Sequence, residues 1–283
     1  MKFFYGWIIP FMWASLISVV LYALLQDRVC IVDGGGMMPN LSKSEIVLLE
    51  KAEKILRNDI LLIDYPLRRP NQTAVSTLKR CVGLPGDTVE IRGKKLFING
   101  VSQRTDFCQF DRKFSFFSES EFKAAAYRYK IFPAKQGTMT QTVAVPERLF
   151  NRIKSENIIK NVSDDVLPDD MFDMCLFPFS AFVYWNRDFY GPFVVPKKGL
   201  TLKLSKTTYI YYQFLLENYE GCTVVYKDYK YYIDGKLAEY YTFKNDYYFV
   251  LNDYRDDVSD SRTFGPVRQD FILGKYFYGG IFR

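Results

Sequence analysis

Three short stretches hold the residues whose types and spacing could do chemistry. The first is Gly34-Gly35-Gly36-Met37-Met38-Pro39-Asn40-Leu41. The second is Leu78-Lys79-Arg80-Cys81-Val82-Gly83-Leu84-Pro85-Gly86-Asp87. The third runs Leu251-Asn252-Asp253-Tyr254-Arg255-Asp256-Asp257-Val258-Ser259-Asp260-Ser261-Arg262-Thr263-Phe264-Gly265. Lys79 falls in a segment, Ala74 to Val82, that reads as a strand, and a lysine that becomes desolvated loses its proton near neutral pH and can take one from a hydroxyl. The third stretch interleaves carboxylates with guanidinium groups, whose bidentate contacts fix orientation and serve as scaffold. The chain has no histidine. That removes Ser-His-Asp and Cys-His triads and most catalytic zinc sites, and neither a metal nor a cofactor is expected.

The elements that must position these stretches read as mainly β. Tyr and Phe number 22 and 25 in 283 residues, and flat rings pack well on pleated surfaces. The net charge of +6 is spread among interspersed Lys and Asp with no basic block, which argues against a nucleic-acid partner. Phe3 to Leu25 carry no charge, and at 1.5 Å per residue they cross a hydrocarbon core of about 30 Å. They read as an uncleaved anchor over 1–26; the rival, a cleaved signal peptide, wants a shorter apolar core and an Ala-x-Ala-like exit. Lys2 and the amino terminus favour a cytoplasmic N-terminus, against Arg28 on the far side.

Val29 to Val32 reads as a strand. Ser42 to Glu45 has the form of a capping box, predicting a helix from about Lys43 to Arg57. A buried strand is expected over Asp59–Pro66 and a strand over Ala74–Val82, then one hairpin of Thr88–Ile91 and Lys95–Ile98 about Arg92-Gly93-Lys94, with Asn99-Gly100 as a further turn. Beyond residue 103 the pattern predicts helices at Glu119–Tyr129 and Tyr209–Leu216, and a hairpin pairing Tyr226–Ile233 with Leu237–Phe243 through Asp234-Gly235. The alternating tyrosines there read as a sheet with one wet face; a tyrosine-lined ligand groove is the sharper alternative. Five scattered cysteines read as buried free thiols, with one disulfide in the middle region the alternative.

The first two stretches resemble the first and second catalytic boxes of the bacterial type I signal peptidases, or leader peptidases, which read Ser-Met-x-Pro-Thr-Leu and Lys-Arg followed by Gly-x-Pro-Gly-Asp. The third resembles the later box Gly-Asp-Asn-Arg-x-x-Ser-x-Asp-Ser-Arg-x-x-Gly, matched in register at Asp253, Arg255, Asp260, Ser261, Arg262 and Gly265. Tyr184 to Gly199 is similar to a segment of long-insert members. The resemblance implies a coiled-sheet catalytic-type β domain from 27–102 and 245–283, interrupted by a β-rich second domain over 103–244. It further implies that Lys79 holds the general-base position, that Gly34, Met37 and Pro39 lie against substrate, and that Arg80 pairs with Asp253 and Asp260 with Arg262. Arg255 and Val258 complete the support.

The departures concern hydroxyls. Gly36 stands in the nucleophile's place, Gly34 where many members put an oxyanion helper, and Val258 where a Ser orients the lysine. Asn252 for Gly and Tyr254 for Asn read as local adjustments. The resemblance therefore implies a single-pass protein of the bacterial cytoplasmic membrane, mostly extracytoplasmic, that is catalytically inactive or impaired. Its implied partners are signal peptides or precursors of exported proteins, membrane lipid and an active signal peptidase paralogue. Two alternatives stand beside this: an active serine-type peptidase using another nucleophile or a Lys79-activated water, and a structural envelope protein.

Overall fold

The computed structural model describes residues 12–15, 28–64, 76–115, 118–130, 140–155 and 161–281. Most of the expected anchor at 1–26 lies outside these, and among the described residues no helix is long and apolar enough to cross a membrane. The fold is mainly β, as expected.

Val29–Ile31 (β1) and Ile46–Glu50 (β2) pair antiparallel, followed by Ile60–Asp64 (β3) and Ser76–Gly83 (β4). A meander of Thr88–Arg92 (β5), Lys95–Ile98 (β6) and Val101–Ser102 (β7) comes next. Gln109–Ser115 (β8), Thr140–Pro146 (β9) and Asn161–Asp164 (β10) form a separate sheet in the order β10-β8-β9. Its apolar side chains pack with those of helices Glu119–Tyr129 (α1) and Glu147–Ser155 (α2). Phe189–Val194 (β11) returns to pair with β5. Thr201–Lys203 (β12), helix Lys206–Asn218 (α3), and the short strands Val224–Lys227 (β13), Lys230–Ile233 (β14), Lys236–Leu237 (β15) and Tyr240–Thr242 (β16) come after it. The chain closes with Tyr247–Leu251 (β17), the one-turn helix Ser261–Phe264 (α4), Val267–Arg268 (β18) and Ile272–Ile281 (β19). The central sheet has seven strands in the order β1-β2-β19-β3-β4-β17-β18.

The helix expected from Lys43 to Arg57 is instead a turn followed by β2. The Ser42 N–H does donate to Glu45 Oε2 at 2.9 Å, but the contact closes a turn in which Ser44 has a φ of +67°. From Ile46 the side chains alternate: Val47 and Leu49 are buried against Ile60, Leu62 and Leu78, while β1 and β19 satisfy the backbone on both sides. The spacing of apolar residues fits both periods over so short a run, and the double-sided ladder decides for the strand. The Asp234-Gly235 turn is present with both residues at positive φ, as two-residue hairpin loops require. The strand after it ends at Leu237, and Tyr240–Thr242 pairs with β12 instead. The predicted helix at Tyr209–Leu216 is α3, extended at both ends and capped by Ser205 and Thr208.

The largest core gathers Phe177, Tyr190, Phe193, Leu215, Tyr247 and Phe249 between β5, β11, β17 and α3. The tyrosines divide between burial (Tyr212, Tyr241, Tyr247) and exposure (Tyr226, Tyr229, Tyr240). Buried Glu220 accepts from the hydroxyls of Tyr241 and Tyr247 at 2.8 Å, from Lys244 N–H at 2.8 Å and from Asn245 Nδ2 at 3.0 Å. All five cysteines are free; Cys81, Cys108 and Cys222 are buried as expected, whereas Cys30 is half-buried and Cys175 exposed.

Candidate active site

Lys79 lies in the middle of β4, opposite Leu61 of β3. Alternation along β4 sends Leu78 into the cluster with Val47 and Leu49, and puts Lys79 on the other face with Cys81 and Leu61. On the far side β17 pairs Val250 with Cys81 and Leu251 with Arg80, so the next residue, Asn252, arrives across from Lys79. Lys79 Nζ donates to Asn252 Oδ1 at 2.7 Å, with Lys79 5% exposed and Asn252 fully buried. Burial pushes the Lys79 amine below its ordinary value, with Arg262 adding to the effect and Asp260 and Asp257 opposing it. Asn252 is fixed in turn: its Nδ2 donates to the Asp257 carbonyl at 3.0 Å and its N–H to Asp260 Oδ2 at 3.0 Å.

The glycine-rich loop packs onto this pair. It is wound by Met38 N–H to Gly35 O and Leu41 N–H to Met37 O, both at 3.0 Å, and tied to the third stretch by Tyr254 N–H to Gly36 O at 2.9 Å. A Cβ built on Gly36 would stand 2.6 Å from Asn252 Oδ1 and 2.9 Å from its Cγ. Space, and not a left-handed backbone, requires glycine at 36. At Gly34 the reverse holds: nothing lies within 4 Å, but φ is +81°, where a side chain strains the backbone. Met37 is buried with Val32 and Leu41, so its side chain belongs to the core and not to an open surface; its neighbour Met38 is the exposed one. Pro39 is half-buried.

Around the pair stand the ionic contacts. Arg80 grips Asp253 with Nε and Nη2, each at 2.6 Å, and Arg262 binds Asp260 with Nε at 3.0 Å and Nη2 at 2.8 Å. Asp260 also caps α4 through Arg262 N–H at 3.0 Å. Val258 brings only its carbonyl, which accepts from Thr263 and from Asp260 N–H. Arg255 donates its Nε to the Cys108 thiol at 3.2 Å and forms no ion pair among the described residues.

Asn252 is no local adjustment: it is the hydrogen-bond partner of Lys79 and fills the volume a side chain at 36 would need. The sequence carried the signal in two complementary departures, a side chain lost at 36 and one gained at 252. Two more residues hold the site together: Asn40, which has no role in the sequence reading, and Tyr254, which there reads as a local adjustment. Asn40 Nδ2 donates to Asp253 Oδ2 at 2.6 Å and to the Phe107 carbonyl at 2.8 Å. The Tyr254 hydroxyl donates to Asp111 Oδ1 at 2.9 Å, joining the third stretch to β8. Among the described residues no hydroxyl bonds Lys79. The arrangement holds a desolvated amine, but the group beside it is a carboxamide and not a nucleophile.

Comparison with known proteins places these features together. The family model described as "Signal peptidase, peptidase S26" matches residues 5–160 and 235–278, passing over the segment between. Signal peptidase I S of Bacillus subtilis (strain 168) is 36% identical over 94 residues, 31% of this chain and 47% of that protein. Signal peptidase I P of Bacillus subtilis subsp. natto is 30% identical over 107 residues, 35% of this chain and 55% of that protein. Signal peptidase I of Bacillus licheniformis is 32% identical over 107 residues, with the same coverage. The chain spans about half the length of the curated relatives it matches.

Proposed function

Since this chain belongs to the signal peptidase, peptidase S26 family, we propose that it engages signal peptides or precursors of exported proteins at the membrane without cleaving them. The observation that carries the reading is at position 36: Gly36 offers no atom to attack with, and the Asn252 carboxamide, bonded to Lys79, stands 2.6 Å from where a Cβ at that position would be. Acyl transfer needs a nucleophile whose proton the base removes, and losing one member of such a unit costs several orders of magnitude in rate.

Binding does not need the hydroxyl. β1 is the edge of the central sheet, it exposes Val29 and Ile31, and it leads directly into the loop that holds Gly34 and Gly36. An extended peptide can pair its backbone with such an edge while its side chains fill flanking pockets. The uncharged segment Phe3–Leu25 and the exposed Leu273, Phe277 and Tyr278 of β19 support membrane lipid as the second contact. The 103–244 segment acts as an inserted second domain, and an active paralogue would do any cutting.

The test is fluorescence anisotropy of a labelled precursor titrated with the full chain in detergent. Saturable binding that needs the signal-peptide segment is the expected result. No affinity for precursors would leave a structural envelope role in its place.

A further inference from the structure

Lys79 and Asn252 are placed for more than a hydrogen bond. Strands β4 and β17 pair Cys81 with Val250 and Arg80 with Leu251, which brings the two side chains together one step further along. Lys79 Nζ stands 2.7 Å from Asn252 Oδ1. A carbonyl bond is about 1.23 Å long, so the carboxamide carbon Cγ lies at most about 3.9 Å from Nζ, close to the ~3–3.5 Å of a near-attack contact.

Both side chains are shut away from water, with Lys79 5% exposed and Asn252 0%. Burial pushes the amine below its ordinary value, which raises the share that carries a free electron pair. The carboxamide is held from behind, its Nδ2 donating to the Asp257 carbonyl at 3.0 Å. The charges of Asp257 and Asp260 both act on Lys79.

We propose that the folded chain joins Lys79 and Asn252 by an amide bond, an isopeptide cross-link between β4 and the segment that follows β17. The neutral Nζ attacks Cγ, and a Nζ–Cγ bond forms. The Cγ–Nδ2 bond breaks, one proton passes from Nζ to Nδ2, and ammonia leaves. The nearby Asp257 and Asp260 carboxylates can relay that proton. No oxidant, metal or second substrate enters the balance. Amides are ordinarily inert towards amines, so the step draws on fixed proximity and on the exclusion of water. Until the bond forms, Lys79 is a free amine that titrates; afterwards it carries no charge and can act as a base for nothing. The link joins positions 173 residues apart and ties the second stretch to the third, whether or not precursors are bound.

Mass spectrometry of the full chain purified in detergent tests the bond. The expected mass is that of the sequence less one ammonia. Trypsin should leave Lys79 uncut and release a branched peptide, with one arm ending at Arg80 and the other spanning Asn245–Arg255. A Lys79→Met variant should keep its ammonia and give no branched peptide; the peptide from the unmodified chain decides the matter even if that variant fails to fold. Cleavage after Lys79 with two separate peptides from the folded chain would overturn the proposal and leave a hydrogen bond. Ammonia lost without a branched peptide would overturn it too, placing the loss at another amide such as Asn99, which precedes Gly100 and can close on its own backbone.

Discussion

Placing a hydroxyl at position 36 alone should not restore chemistry, and the reason can be worked from distances. The Cβ of Gly36→Ser would arrive 2.6 Å from Asn252 Oδ1, well inside the ~3.5–4.0 Å of comfortable heavy-atom contact. The carboxamide cannot swing aside freely, because Lys79 and the Asp257 carbonyl hold both of its ends. Moving it forfeits a bond to a charged group worth about 1.5–3 kcal/mol and a neutral one worth about 1, so Gly36→Ser should lose about 2–4 kcal/mol. Asn252→Gly alone strands the buried Lys79 amine and should also destabilise. Together the two changes exchange a side chain at 252 for one at 36, and the new hydroxyl can accept from Lys79. The double variant should therefore be more stable than the sum of the singles by about 1–3 kcal/mol, the range for coupled neighbours. The assay is a double-mutant cycle in urea, run beside cleavage of a precursor followed by mass spectrometry. Strict additivity, or a Gly36→Ser single variant as stable as the unmodified chain, would refute the claim that Asn252 fills the nucleophile's space.

Charged groups set further outcomes. Because burial lowers the Lys79 pKa from its unfolded value near 10.5, the unfolded chain binds the extra proton between the two values. Stability from this group is complete above about pH 10.5 and is lost as pH falls through the lowered pKa; the difference in urea midpoint between Lys79→Met and the unmodified chain should change across that window, and parallel pH profiles would contradict it. Burial pushes Glu220 up, but its bonds from Asn245, Lys244 N–H, Tyr247 and Tyr241 outweigh this and hold it below the ordinary carboxylate range. Its contribution is present above the ordinary carboxylate value and lost as pH falls through the lowered one, so Glu220→Gln should cost about 2 kcal/mol at pH 7 and less at pH 3 by thermal melting. Arg80→Met leaves Asp253 buried without its cation and should cost about 3–5 kcal/mol in urea unfolding, whereas Arg104→Ala, at an exposed pair, should change stability by less than about 1 kcal/mol.

Much of the frame around Lys79 was legible because it rests on local signals. Lys79 falls within the segment read as a strand, which is β4, Asn99-Gly100 and Asp234-Gly235 are turn dipeptides, and α1 spans the predicted residues. The β2 region was misread because a five-residue apolar run fits helix and strand alike, and its pairing with β19 joins residues more than two hundred positions apart. Tyr240–Thr242 left its expected hairpin for β12 for the same reason: register with a distant strand outweighs a local turn. Within the site, the Arg80–Asp253 and Asp260–Arg262 pairs came with the resemblance, while the role of Asn252 did not. A carboxamide in place of glycine is a small change in sequence; only the proximity of Gly36, Lys79 and Asn252 in space turns it into the partner of the lysine. Asn40 was hidden likewise, by a contact to Asp253.

The central claim is that the buried lysine here has no nucleophile to activate, and one measurement meets it directly. A signal-peptide-bearing precursor is incubated in excess with the unmodified full chain in detergent, beside Lys79→Ala, and the products are weighed by mass spectrometry. Uncut precursor in both is the predicted result. Cleavage by the unmodified chain that disappears in Lys79→Ala would contradict the claim, and would mean that Lys79 activates a nucleophile other than a side chain at position 36.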